Sequence, residues 1–538
     1  MSAEAASASL LTSEADYKLD LPRLLIVVSV MLAVMLEIID TSIVNVSIPS
    51  MMGNLGATLD EIDWVITSYM VANVIVIPLT GWMSRRFGRK RYFISSICVF
   101  TASSLLCGAS QTVEQLIFWR LVQGLGGGAL VATSHAIIVE TFPPSKQGVG
   151  QALFGMGAMV GPSLGPTLGG FLTDNYSWHW CFLINVPLGI AAAILCAAHL
   201  QDPPHAQRRP GGRIDWPGVI LLVVGVGAFQ TVLERGNKYD WFDSPMIALL
   251  AVVSAVGIVG LLIREFTTDE PIIDFRVLKN KQLALACGLG ALTTFGLFGL
   301  IFLFPLYTQT LLGWTAWQSG LAVLPSSIAT AVMMGFMGRL VWHVGPRPIF
   351  LAGMVMMPLT LWRMSQWSLS SGWDDLFWAQ MMRGITMGML FIPLSTAGLR
   401  SLAGADVAKG AGMYNLFRQL GGSFGIAVLA TLLDHRTVTH RGALAGHVGP
   451  FDMPTVQRLD ALAQRFTDGG LDPNVAVYAA RGVVNRMVEA SSSMQAFYDA
   501  YFLIGVLFLL CLPFGFMVAR HAPGKYTPIE SSTSIEFE

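Results

Sequence analysis

Two carboxylates stand where a charge is expensive. Glu37 and Asp40 interrupt the first apolar run of the chain, and they are the only acids placed well inside such a run. A charge at mid-bilayer costs about 2.5–3.5 kcal/mol or more, so the pair needs a partner, a water-filled cavity or a proton. With Thr41, Val44 and Asn45 they fall three or four residues apart, which puts them on one face of a helix. A desolvated carboxyl can load and release a proton near neutral pH, as coupling to a proton gradient requires. The other reading is a permanent ion pair with an arginine that only holds helices together. Arg120 is a candidate for that arginine and heads a helix face on which Gly124, Gly128 and Ala132 recur at i+4 steps. A guanidinium stays charged at working pH, so it can hold a carboxylate ionised in one conformation and leave it in another. Arg383 and Arg418, also within apolar stretches, read as structural or gating pairs, and His135 reads as a core histidine.

A third feature is steric. Gly157, Gly161, Gly165 and Gly169 make one smooth face on the fifth apolar segment, and Pro162 and Pro166 remove two helical N–H donors from it. Such a helix is expected to pack closely and to bend, although packing alone explains much of the pattern.

These residues need elements to carry them. Of 538 residues, 53% are hydrophobic and 12% charged, whereas a soluble domain is roughly a quarter charged. Runs of the ~20 apolar residues that a bilayer demands recur near 24–46, 62–83, 91–110, 115–139, 150–172, 180–200, 215–233, 245–263, 283–311, 318–341, 347–365, 375–399, 410–433 and 496–519. The expected protein is therefore an all-α membrane protein of fourteen spans. Lys and Arg crowd the segments on one side, among them Arg85, Arg86, Arg89, Lys90, Arg339 and Arg347, while the short loops opposite hold Arg235 and Lys238. The positive-inside rule then places both termini in the cytoplasm.

The chain also echoes itself. Gly81-Trp82-Met83-Ser84-Arg85-Arg86-Phe87-Gly88-Arg89-Lys90 is answered by Gly338 to Arg347, and Arg120-x-x-Gln123-Gly124 by Gln380-x-x-Arg383-Gly384. Duplicated halves with a site between them are a pattern of secondary transporters. The expected division is a tail at 1–23, a six-helix half at 24–200, two added helices at 201–264, a second six-helix half at 265–519 and a tail at 520–538. The stretch 434–495 lies between the last two spans. There Leu459, Leu462, Ala463 and Phe466, then Val477, Val484 and Val488, have helical spacing that suggests amphipathic helices outside the membrane.

Several function classes drop out. The 33 basic and 34 acidic residues nearly cancel, so nothing points to a nucleic-acid partner. The six cysteines show no metal-binding spacing. No phosphate-cradling Gly-x4-Gly-Lys-Ser/Thr loop appears, so the drive should be electrochemical, and with Glu37 and Asp40 as proton carriers the expected source is a proton gradient, with no cofactor. Export by antiport, proton-coupled import of a polar nutrient, and a non-transporting membrane protein remain. Sparse polar groups along the cavity helices favour export.

At Asp40-Thr41-Ser42-Ile43-Val44-Asn45-Val46-Ser47-Ile48-Pro49, Arg120-x-x-Gln123-Gly124 and Gly157 to Gly170, the sequence resembles the fourteen-helix EmrB/QacA-type drug:proton antiporters of the major facilitator superfamily. Trp64-Val65-Ile66-Thr67-Ser68-Tyr69 and Trp178 to Pro187 are similar to the Gram-negative EmrB branch. The resemblance implies a proton-driven exporter of lipophilic small molecules in a bacterial inner membrane. It also implies a periplasmic membrane-fusion adaptor and an outer-membrane channel as partners, with 434–495 a docking element or a passive cap. One departure bears on gating. The superfamily's loop after the second helix usually has an acid where Arg85 stands, so the gate is expected to rest on Arg86, Arg89 and Lys90 against other partners.

Overall fold

Helices account for nearly all of the described residues. The computed structural model describes residues 21–142, 147–202, 215–268, 271–402, 405–449 and 452–519. The proposed terminal tails lie almost wholly outside these residues, as do Lys146 and the arginines at 208, 209 and 213. The helices are α1 (Leu21–Leu55), α2 (Trp64–Phe87), α3 (Arg89–Gly108), α4 (Val113–Thr141), α5 (Gln147–Asn175), α6 (Asn185–His199), α7 (Trp216–Arg235) and α8 (Pro245–Thr267). They continue with α9 (Lys281–Leu306), α10 (Ala316–Val344), α11 (Pro346–Met364), α12 (Trp373–Leu399), α13 (Ala405–Ala445), α14 (Met453–Asp468) and α15 (Pro473–Gly515). Among the described residues, eleven spans are long and apolar enough to cross a membrane. Helices α5, α11 and α12 supply the remaining three places expected from the sequence.

Local chemistry sets the ends. Thr112 caps α4 by accepting from the Gln115 amide, and Thr315 and Gln318 close a reciprocal capping box on α10. The reversals from α2 to α3 and from α10 to α11 each turn on one glycine, Gly88 and Gly345, both at φ 86°. A side chain is strained in that region, so the internal echo read from sequence is also a repeat of backbone conformation.

Packing keeps the two halves distinct. Helices α1 and α3–α6 build one bundle with α2, and α9–α13 build the other with α15. They meet where α5 lies against α10 and α12 and where α2 and α4 lie against α13. Helix α7 packs on α2 and α13, and α8 packs mainly on α7. Leu249, Val252, Val256, Val259 and Ile263 remain exposed along α8, as lipid-facing residues should be. These contacts fit a six-plus-two-plus-six arrangement.

The helices overrun the apolar segments. The expected ends at 433 and start at 496 are corrected, because α13 continues to Ala445 and α15 begins at Pro473. At 1.5 Å per residue a helix of 41 residues reaches about 60 Å, twice a hydrocarbon core. Helix α14 packs on α15, with Leu459, Leu462, Ala463 and Phe466 half-buried as expected, whereas Val477 is exposed. Helix ends are set by backbone hydrogen bonding, which does not stop where hydrophobicity stops.

Contacts at one end of the bundle group its loops. Lys238 pairs with Asp60 and Asp63, and Asn237 donates to Asp434 at 2.6 Å. The α1–α2 and α7–α8 connections and the base of the α13–α15 extension therefore share one face. Reporter fusions at residues 237 and 460 are expected to report the same, extracytoplasmic side, and fusions at 88 and 345 the opposite one. A cytoplasmic report at 460 would overturn the topology.

Candidate functional site

The polar stripe of α1 meets α4 in the middle of the N-terminal bundle. Asp40 is fully buried, and its Oδ2 accepts from Arg120 Nη1 at 2.6 Å. Its other oxygen accepts from Gln123 Nε2 and from Asn185 Nδ2, each at 2.8 Å. Arg120 Nη1 also donates to Gln123 Oε1 at 2.8 Å, and its Nε donates to the Val65 carbonyl at 3.1 Å. The Tyr69 ring lies 4.1 Å from the guanidinium carbon, adding a cation–π contact. Asn185 is held by Ser104 Oγ at 3.1 Å. Donors from α4 and α6 thus hold one carboxylate of α1, with Tyr69 of α2 against the guanidinium.

Glu37 sits a turn away and is treated differently. It is half-buried, and Asn73 Nδ2 donates to its Oε1 at 2.9 Å. Among the described residues no cation pairs with it. One acid is therefore neutralised by a guanidinium, and its neighbour accepts from a neutral amide.

Steric close approach makes this geometry attainable. The glycine face of α5 lies on α1: a Cβ at Gly161 would come 2.5 Å from Ile38 Cγ2, one at Gly165 would strike Ser42, and one at Gly169 would come 2.7 Å from the Ile43 carbonyl. Gly157 faces Met31 in the same way. The stripe therefore seats the Asp40 helix inside its own half. Helix α5 runs unbroken through positions 162 and 166. Another part of it faces the second half, where Gly155 approaches Met334 of α10. On α4, Gly124 and Gly128 press on the Tyr69 and Asn73 carbonyls of α2, which brings Tyr69 under Arg120.

The remaining candidates separate into groups. In the turn after α2, Arg89 Nη1 pairs with Glu140 Oε2 at 2.7 Å, the Lys90 amide donates to Asp202 Oδ1 at 2.6 Å, and Lys90 Nζ donates to the Ala197 carbonyl. Gly88 leaves room there, since a Cβ would come 3.1 Å from Asp202 Oδ2. Arg89 and Lys90 thus find their partners within the N-terminal half. Gly81 and Arg85 face the second half across a small cavity shared with Asp274 and Lys409, whose own ion pair measures 2.9 Å.

Arg383 and Arg418 depart from expectation. Neither meets a carboxylate among the described residues, so the expected ion pairs are not formed. Arg418 donates to Asn415 Oδ1 at 3.2 Å and lies 4.5 Å from the Phe391 ring centroid. His135 is a core residue stacked on Phe154 at 4.5 Å, yet it also bridges the halves, with Nδ1 3.1 Å from Asn415 Nδ2. Two further acids stand at the ends of helices that outrun their apolar segments. Helix α4 extends to Thr141 and takes in Glu140, and α7 extends to Arg235 and takes in Glu234, which accepts from Gln230 at 2.9 Å.

The comparisons agree with this architecture. Residues 30–426 match the Major Facilitator Superfamily. The multidrug export protein EmrB of Escherichia coli K12 is 35% identical over 434 residues, 80% of this chain and 84% of that one. The fatty acid resistance protein FarB of Neisseria gonorrhoeae is 30% identical over 491 residues, 91% and 94% of the two chains. Among solved structures, the human organic anion transporter MFSD10 (TETRAN) superposes with a TM-score of 0.58 at 14% identity, covering 91% of this chain and all of that one, which supports the fold.

Removing one partner of a buried pair leaves the other charge uncompensated, at about 3–5 kcal/mol. Arg120→Ala and Asp40→Ala are each expected to lower the melting temperature of the purified protein sharply. The double variant Asp40→Asn/Arg120→Gln should recover most of the loss, because it leaves no lone charge. Equal melting temperatures for the wild type and both single variants would show that the pair is not what holds α1 to α4.

Proposed function

The chain belongs to the major facilitator superfamily, in the branch of the EmrB-type multidrug exporters, and on that premise we propose that it is a drug:proton antiporter in which Asp40 carries the coupled proton. It is a multi-pass membrane transporter and not an enzyme. The observation that supports proton coupling is the Asp40–Arg120 pair with Gln123 and Asn185 around it.

A proton cannot join Asp40 while Arg120 occupies the carboxylate without leaving a buried guanidinium uncompensated. Proton entry is therefore linked to movement of α1 against α4, and because α1 rides on α5 that movement reaches α10 across the interface. The same linkage prevents a leak, since the acid is open to protons only when the pair has parted. Glu37, with a neutral partner, is a second acid on the same face and modulates loading. Arg418 and His135, with the aromatic rings of Phe391, Tyr414 and Phe154, stand between the halves, where a lipophilic substrate would be held during alternating access.

One proton driven by ~100 mV gains about 2.3 kcal/mol, and each pH unit adds roughly 1.4. Together they support ~500-fold accumulation of a neutral substrate. The relatives named for multidrug export and fatty acid resistance point to apolar or amphipathic cargo. The setting we propose is the inner membrane of a Gram-negative bacterium, with both termini cytoplasmic. The extension made by α13, α14 and α15 then stands in the periplasm, in reach of a membrane-fusion adaptor that hands substrate to an outer-membrane channel.

Asn at position 40 keeps shape and hydrogen bonding but cannot titrate. In proteoliposomes with an imposed pH gradient, Asp40→Asn, which melts below the wild type because Arg120 loses its counter-charge but still reconstitutes, is expected to abolish uphill export, and Glu37→Gln to reduce it in part. Uphill export by Asp40→Asn at the wild-type rate would refute the assignment and transfer the role to Glu37.

A further inference from the structure

The internal repeat reproduces the site's scaffold in the C-terminal half but omits its acid. In the first half, a Cβ on Gly124 of α4 would meet the Tyr69 carbonyl and Ala72 of α2. In the second, a Cβ on Gly384 of α12 would meet the Ser326 carbonyl and Ala329 of α10. Aligned on these glycines, Gln380 and Arg383 take the places of Arg120 and Gln123, so the glutamine and the arginine have exchanged positions. Arg383 is 3% exposed, Gln380 0% and Tyr501 of α15 1%. Arg383 Nε donates to Ser326 Oγ at 3.0 Å, and its Nη1 has no partner among the described residues. The Gln380 amide is unpartnered at both atoms, as is the Tyr501 hydroxyl, which lies within electrostatic reach of the guanidinium. The nearest ring recorded against Arg383 is Phe304, 5.9 Å away, and no carboxylate pairs with it among the described residues.

A buried guanidinium without a counter-charge is among the costliest arrangements in a protein, and buried polar groups are almost always satisfied. Here a cation and several orphaned groups coincide around the helix that the repeat aligns with the Arg120 helix. Water could satisfy the hydrogen bonds but would leave the charge. We propose that Arg383, Gln380 and Tyr501 hold a small monovalent anion of the chloride class, which is the counter-ion that Asp40 provides in the N-terminal half. Arg383 Nη1, Gln380 Nε2 and the Tyr501 hydroxyl are its donors, and any accompanying water would serve the Gln380 carbonyl. The polar atoms are closed to solvent, which suits a resident ion rather than a passing substrate. The site stabilises the α10–α12–α15 packing and does not depend on proton coupling.

The test uses the purified full-length protein in lipid nanodiscs, with chloride replaced by gluconate at constant ionic strength. The melting temperature is expected to fall by a few degrees in gluconate and to be restored by chloride or bromide. Arg383→Gln should abolish that difference, and Tyr501→Phe, a milder change that guards against misfolding of the first, should shrink it. In crystals grown with bromide, an anomalous peak is expected beside Arg383. Equal melting in gluconate and chloride, persistence of the anion effect in Arg383→Gln, or stabilisation by a lipophilic carboxylate such as decanoate alone would each overturn the assignment.

Discussion

A single carboxylate sealed away from water with one guanidinium is the interaction on which the rest of this transporter depends. Asp40 lies on α1, Arg120 and Gln123 on α4, and Asn185 on α6, and none could be buried singly without a heavy desolvation cost. Together they form a network in which every oxygen of Asp40 has a donor. The surroundings follow from that requirement. Glycines on α5 let α1 approach, glycines on α4 let α2 bring Tyr69 under the guanidinium, and Ser104 fixes the amide that completes the set. The network is stable in one conformation, and its charge balance fails when a proton arrives. Those two properties are what the proposed proton coupling requires.

The halves solve the same electrostatic problem in different ways. Both place a polar pair before a glycine that presses on the neighbouring helix, and both turn on a glycine at φ 86°. Only the first half carries acids on its opening helix. An inverted or repeated fold needs related packing in its halves, but coupling needs a titratable group in only one of them. The second half is then free to face the interface with Arg418, Asn415 and aromatic rings.

Much of this was legible in sequence because helical geometry turns spacing into a face. The stripe of Glu37 and Asp40, the arginine at 120 with Gln123, and the small face of α5 follow from steps of three and four residues alone. What opposed each face was not legible. Asn185 and Tyr69 lay in stretches read only for their family resemblance, and nothing local marks them as partners of Asp40 and Arg120. The acid-free state of Arg383 and Arg418 is likewise a fact about distant helices. Apolar runs also gave the spans but not the helix ends, so α13 and α15 were read short and Glu140 and Glu234 were placed outside helices that contain them. In the turn after α2, Arg89 meets Glu140 and the Lys90 amide meets Asp202, acids that nothing local in the sequence marks as partners.

The central claim is that protonation of Asp40 and opening of its pair with Arg120 are one event. Infrared difference spectroscopy on the reconstituted protein, recorded as pH is lowered, observes the protonated carboxyl directly. The account predicts a band that grows on acidification, is absent from Asp40→Asn, and is reduced when a transported substrate is added. A band that survives in Asp40→Asn and disappears only in Glu37→Gln would contradict it.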